Sequence, residues 1–238
     1  MNNEILLALS IVVIYGIVVA LYKYFGRVGL FCWTAIATIL ANIEVLRVVE
    51  AFGIEQTLGN VLFASTFLVT DILSEKDGAK VANKAVNLGI ITSVVFIIIS
   101  QSWLLYTPSG SDWAGESFKV IFSNTPRLIC ASLIVYAICQ RLDVWLYHRW
   151  WKFTTRLCGD SVRFLWIRNN FSTLVSQLLN TVLYNFAAFW GIYDLSTLLS
   201  ICIGTYVVFI VTSITDTPAI YIARKIKPEE ISSERKAL

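Results

Sequence analysis

Residues 5–21 read ILLALSIVVIYGIVVAL, a run without a charged side chain. About 20 apolar residues are what a helix needs to cross the hydrocarbon core of a bilayer, and a helix satisfies its backbone N–H and C=O groups within the segment. Outward from this run the signature recurs, at 28–48, 57–75, 85–106, 125–147, 168–191 and 196–222, with the first span at 4–22. Together the spans nearly exhaust the 238 residues. Charged residues make up 15 % of the chain, where a soluble domain carries roughly 25 %. The reading is an all-α integral membrane protein with seven transmembrane helices and no room for a soluble domain. No basic residue precedes the first span and no small-residue cleavage site follows it, so a retained helix is expected rather than a cleaved signal.

The net charge of +3 is informative through its distribution. Lys23 and Arg27 fall between spans one and two, Lys76, Lys80 and Lys84 between three and four, and Arg149, Lys152, Arg156 and Arg163 between five and six. Arg224, Lys225, Lys227, Arg235 and Lys236 follow span seven. Threaded alternately, these segments share one side, while the loops around Glu50–Glu55, Thr107–Glu116 and Tyr193-Asp194 are acidic or neutral apart from Lys119. The positive-inside rule then places the N-terminus outside and the C-terminus in the cytosol, as expected of a multi-pass protein of the cell (inner) membrane. The pattern orients helices in lipid and is not a nucleic-acid footprint. The five cysteines are scattered without a CxxC pair, and the single histidine, His148, sits in a basic loop, so neither a disulfide framework, a metal site nor a cofactor is indicated. No GxxxxGK[ST], GxSxG or HExxH motif occurs, and no enzyme is expected.

Function is sought among side chains that are costly in lipid. An ionisable group at the bilayer centre costs about 2.5–3.5 kcal/mol on insertion scales, so such groups face the bundle interior and mark candidate sites. Span three ends FLVTDILSEK (67–76), with Asp71 and Glu75 four apart on one face. Glu75 is either part of a site or the solvated helix end paired with Lys76. Span five carries Arg127 near its outer end, to grip a carboxylate or carbonyl or else to snorkel to the interface. Tyr136, Gln140, Asp143 and Tyr147 form a stripe in the inner half of that span, where Asp143 is either a site residue or an interfacial partner of Arg141. Span six, RNNFSTLVSQLLNTVLYN (168–185), aligns Asn169, Thr173, Ser176, Asn180 and Tyr184, as helix–helix glue or as a wall facing a solute. Asn42, Glu44 and Arg47 add polarity to span two, the last two spaced for a mutual ion pair. Thr215-Asp216-Thr217-Pro218 closes span seven, where proline is expected to break the helix. Spacing alone leaves open an intramembrane enzyme that uses Asp71 and Asp143 as a dyad.

FLVTDILSEKDG (67–78), RLICAS (127–132), QRLD (140–143), RNNFST (168–173), Ser176-Gln177 and Ala187–Gly191 occur in order over most of the chain. In this they resemble the queuosine-precursor transporters, also called vitamin uptake transporters. The resemblance implies a six-helix core, here residues 26–226, preceded by an extra N-terminal transmembrane helix at 1–25 and followed by a cytosolic tail at 227–238. It implies import of a 7-deazaguanine base (7-cyano-7-deazaguanine, its aminomethyl form, or queuine) for tRNA queuosine synthesis or salvage. The partners implied are a purine-like small molecule and the lipid bilayer, without an ATPase; a homo-oligomer is compatible with it. The competing arrangement is a substrate-binding membrane subunit of an ATP-driven modular vitamin importer. A deazaguanine presents N–H and amine donors on one edge, a carbonyl and a stacking face. Asp71 or Glu75 would read the amine edge, Asn180, Gln177 or Arg127 the carbonyl, and Trp190 or Tyr184 the ring, with Asn42, Gln140 and Asp143 completing the candidate set. Asn180 stands where many relatives carry Asp, and Phe209 where a lysine is expected, a joint loss of acid and base that keeps the bundle neutral.

Overall fold

In a computed structural model the described residues are 2–123, 126–160 and 163–228, with the side chains of 54, 55 and 126–129 outside the description. The elements run α1 (Asn3–Glu44), β1 (Val48–Ala51), β2 (Ile54–Thr57), α2 (Gly59–Asp77), α3 (Ala79–Trp103), α4 (Gly115–Phe122), α5 (Pro126–Cys158), α6 (Leu165–Phe189) and α7 (Leu195–Lys225). Of these, α1, α3, α5 and α7 are long and apolar enough to cross a membrane. Ile91, Ile98, Ile134 and Ile203 are exposed on them, whereas Asp71, Gln140, Asp143, Asn169 and Asp216 are buried. Apolar outside and polar inside is the arrangement a lipid solvent selects.

The first two sequence spans lie within α1, which is not a straight rod. Gly26 breaks it at φ 57° and ψ −137°, a conformation that glycine adopts without steric cost. The chain reverses there: Gly29 comes against the Leu21 carbonyl, the Asn3 side chain donates to the Glu50 carbonyl at 2.8 Å, and Phe52 N–H donates to Glu4 at 3.2 Å. α1 is thus a helical hairpin whose two arms lie side by side. Its second arm ends at Glu44, short of the expected 48, and the chain enters an antiparallel β-hairpin in what had read as a plain loop. The expected Glu44–Arg47 pair is therefore absent, because Arg47 lies past the helix end and loses the one-turn register. The short helix α4 was also unforeseen; its Phe118 and Phe122 pack on Trp103 at centroid distances of 5.5 and 5.2 Å. α7 continues through Pro218 instead of breaking, since one lost backbone bond is tolerated where neighbouring helices cover it.

α2 and α6 are too polar to register as spans by apolarity, yet they form the centre of the bundle. From Gly59 to Ser74, α2 is buried almost without interruption, against both arms of α1 and against α3, α5 and α7. α6 packs between α5 and α7. At one end a core of Tyr15, Val18, Tyr22, Leu30, Trp33, Leu68, Ile72, Val86, Tyr147 and Ile220 joins the helices. That end also gathers Arg27, Lys76, Lys152 and Arg224, and it is called the basic end below. Lys76 caps α7 there, donating to the carbonyls of Arg224 and Ile226 at 3.0 Å each.

Candidate functional site

Three helices contribute a polar layer to the bundle interior. On α2, Thr66, Thr70 and Asp71 point toward α5 and α6, and all are buried. Gln140 of α5 donates to Thr66 Oγ1 at 2.6 Å and accepts from Thr70 Oγ1 at 3.3 Å. Asp71 Oδ2 accepts from Thr173 Oγ1 of α6 at 3.3 Å, and Asp143 Oδ1 of α5 accepts from Ser176 Oγ of α6 at 2.9 Å. Their donors, Thr173 and Ser176, are three residues apart on one face of α6, which makes the two carboxyl groups neighbours. The helical periodicity explains the convergence. Thr66-Thr70, Gln140-Asp143 and Asn169-Thr173-Ser176 each recur at three- or four-residue steps, so each set occupies one face, and Asp71 borders the first, five residues from Thr66; packing turns the three faces inward.

Asp216 of α7 extends this layer. Asn169 Nδ2 donates to its Oδ1 at 2.6 Å, and next to it Asn170 Nδ2 donates to Thr217 Oγ1 at 2.7 Å. The cluster holds more acceptors than its donors satisfy. Asp71 Oδ1, Asp143 Oδ2, Asn169 Oδ1 and Gln177 Oε1 are buried without a donor, and Gln177 Nε2 is a buried donor without an acceptor. An unsatisfied buried polar group costs about 1–3 kcal/mol, so several together exceed what helix packing requires. Arg141 is not the partner of Asp143. It faces away and donates to Asn87 Oδ1 at 3.0 Å, because residues two apart on a helix do not share a face.

One turn toward the basic end lies a second, fully charged layer. Glu75 is four residues from Asp71, Tyr147 is four from Asp143, and Arg168 is five from Thr173. Arg168 grips the Glu75 carboxylate with Nη2 at 2.7 Å to both oxygens and Nε at 3.0 Å, the side chains being 0 % and 4 % exposed. Tyr147 donates to Glu75 Oε2 at 2.8 Å, and Arg224 Nε reaches Oε1 at 3.3 Å. The Arg168 guanidinium stacks over Trp151 at 4.3 Å and donates to the Arg163 carbonyl at 3.1 Å. Glu75 is therefore neither solvated nor paired with Lys76. It is the hub of a clasp joining α2, α5, α6 and α7.

The candidate residues thus separate. Asp71, Gln140 and Asp143 meet in the polar layer; Gln177 is buried one turn from Thr173, and Asn180 follows one turn beyond Ser176 at 8 % exposure. Tyr184 is half-buried further along, with its ring edge-on to Phe189. Asn42 stands apart, donating to the Thr38 carbonyl at 2.7 Å and lining a cavity of about 20 Å³ with Ser100, Gln101 and Phe122. Trp190 is 59 % exposed at the end of α6, stacked on Phe186, and does not reach the polar layer. The Arg127 side chain lies outside the described residues, as does the tail from 229 onward. Asn169 lies on the span-six face read from the sequence as glue or as a wall facing a solute, whereas Arg168 and Asp216 belong to the two layers but were given no role there. Their signal was present as ionisable groups within spans six and seven, but their position near the span ends masked it. Asp71 and Asp143, which spacing offered as the dyad of an enzyme, are neighbours in the polar layer.

A profile of the family described as "Putative vitamin uptake transporter" matches residues 57–223. The chain is 40 % identical over 214 residues to a "Probable queuosine precursor transporter" of Bacillus subtilis (strain 168), covering 90 % of this chain and 91 % of that protein. It is 28 % identical over 151 residues to a "Queuosine precursor transporter" of Escherichia coli (strain K12), covering 63 % and 62 %. No solved structure matches the chain.

Proposed function

Because this chain belongs to the vitamin uptake transporter family, and is accordingly a multi-pass membrane transporter and not an enzyme, we propose that it imports a queuosine precursor, a 7-deazaguanine base, into the cytoplasm. The observation that carries this reading is the surplus of buried acceptors where α2, α5 and α6 converge. A deazaguanine edge supplies N–H and amine donors, and hydrogen bonds to a charged partner contribute about 1.5–3 kcal/mol each. Asp71 and Asp143 would read that edge, the Gln177 amide and Asn180 the carbonyl, and Tyr184 the ring. Glu75 is committed to Arg168, and Trp190 is at the surface, so the reading assigns recognition to neither. Asn42 and Arg127 would act nearer the outer mouth.

In this proposal the two arms of α1 with α2, α3, α5, α6 and α7 make seven spans, the N-terminus is outside and the C-terminus cytosolic. Residues 1–25 are an addition to a six-helix core. The basic end then faces the cytosol, and the Glu75–Arg168 clasp closes the inner side of the polar layer. The chain works without an ATPase. The test is queuosine content of tRNA in a precursor-auxotrophic cell expressing this chain, fed each base separately. Asp71→Asn, matched in size and expressed to the same level in the membrane, is expected to abolish restoration. Full restoration by Asp71→Asn would refute the assignment, and uptake by the purified chain in sealed vesicles separates it from an ATPase-dependent subunit.

A further inference from the structure

Beyond Tyr147, α5 continues to Cys158, and its outer side there forms an open groove of about 510 Å³ lined by His148, Trp151, Lys152, Thr155 and Arg156. These positions fall at steps of three, four, seven and eight residues, which is one helical face. The His148 ring is stacked on Trp151, centroids 5.9 Å apart at 17°. Two polar atoms of its lining residues, His148 Nε2 and Thr155 Oγ1, are buried without a hydrogen-bond partner. Lys152 and Arg156 are exposed beside them, and no acidic side chain among the described residues lines the groove. Trp145, 58 % exposed, continues this side of the helix one turn further into the membrane. Large apolar side chains exposed at this level belong in lipid, while the interleaved cations belong at the head-group boundary. Of the lining residues, Trp151 also packs against the core, edge-on to Tyr147.

We propose that this groove is a binding site for the phosphate-bearing head group of an anionic phospholipid. Lys152 and Arg156 counter the phosphate charge, His148 Nε2–H and Thr155 Oγ–H donate to head-group oxygens, and the acyl chains run inward along Trp145. A basic pocket at the level of the interface has the chemistry such head groups require. The occupant is coupled to the transporter through Trp151, whose indole lines the groove and also carries the Arg168 guanidinium at 4.3 Å. A bound lipid therefore steadies the side chain on which the clasp rests. The proposal is independent of the solute carried.

The test titrates the purified full chain in neutral detergent with phosphatidylglycerol, phosphatidylcholine, glycerol 3-phosphate and inorganic phosphate, and reads the thermal unfolding midpoint. Phosphatidylglycerol is expected to raise the midpoint saturably, while phosphatidylcholine and the soluble phosphates do not. Lys152→Gln/Arg156→Gln, at two exposed positions where folding is not at stake, should weaken the apparent affinity roughly thirtyfold, at about fivefold per cation. Thr155→Val should weaken it further while the lipid-free midpoint stays level or rises, because a buried unpaired hydroxyl is removed. Equal responses to the two lipids would overturn the proposal, as would unchanged affinity in the double variant. Saturation by glycerol 3-phosphate at the same concentration would assign the groove to a soluble anion instead.

Discussion

Removing Arg168 should cost more than removing any exposed charge of this chain, and its cost should depend on whether Glu75 is present. The guanidinium makes three contacts of 2.7–3.0 Å with the Glu75 carboxylate, and both side chains are almost fully buried. Breaking such a pair from one side leaves an uncompensated buried charge, at about 3–5 kcal/mol. Arg168→Met leaves Glu75 with the Tyr147 hydroxyl and the longer Arg224 contact, so the lower end, about 3 kcal/mol, is expected. Glu75→Gln leaves Arg168 with the Arg163 carbonyl and Trp151, again about 3 kcal/mol. Were the two effects independent they would sum to about 6 kcal/mol. The double variant Glu75→Gln/Arg168→Met strands no charge and should cost only about 3 kcal/mol, a coupling of about 3 kcal/mol where distant sites add within about 0.5. The assay is a double-mutant cycle on reversible unfolding in mixed micelles, followed by tryptophan fluorescence. A double variant costing the full sum would refute the clasp. Arg168→Lys should fall between, since an ammonium cannot hold both carboxylate oxygens in a planar fork.

Three further outcomes are expected. Gly26→Ala places a side chain at φ 57°, ψ −137° and should destabilise by about 1–3 kcal/mol, whereas Gly16→Ala, which meets nothing within 4 Å, should be neutral in the same unfolding assay. Gly89→Ala puts a methyl onto the hydroxyl of buried Tyr136, whose ring is held against Phe63; a loss of about 1–3 kcal/mol is expected, partly recovered in Gly89→Ala/Tyr136→Phe. Asp194 caps α7, accepting from the Thr197 hydroxyl and from the N–H groups of Ser196 and Thr197, which hold its carboxyl below the usual carboxylate value of 3.8. Its contribution is thus complete above 3.8 and lost as pH falls through the lower folded value, so the unfolding midpoint should drop across that acid window in the parent and less in Asp194→Asn.

Much of the candidate site was legible because span periodicity is local. Gln140, Asp143 and Tyr147 on α5 fall at the spacing of one helical face, and all three are buried, as that spacing predicts. Asp71 stood out because a carboxyl that deep in an apolar run has few alternatives to the bundle interior. Glu75 was ambiguous for a physical reason: its closest basic neighbour in sequence is Lys76, yet adjacent residues on a helix point apart. Lys76 goes to the end of α7, and the partner of Glu75 is 93 residues away. The β-hairpin and α4 escaped notice because each is short and lies in a segment whose apolar and polar residues suit a loop equally well.

The sequence alone determined that this is a helical bundle in lipid, where its basic end lies and which helix faces are hydrophilic. Those properties depend on side chains within a few turns of one another, and hydropathy and charge record them directly. Only the tertiary structure decided which face meets which: Asp71 with Asp143, Asn169 with Asp216, Glu75 with Arg168 rather than with solvent. Such pairings depend on the rotation and axial offset of each helix against its neighbours. Both are set by packing across the whole bundle and leave no periodic trace along the chain.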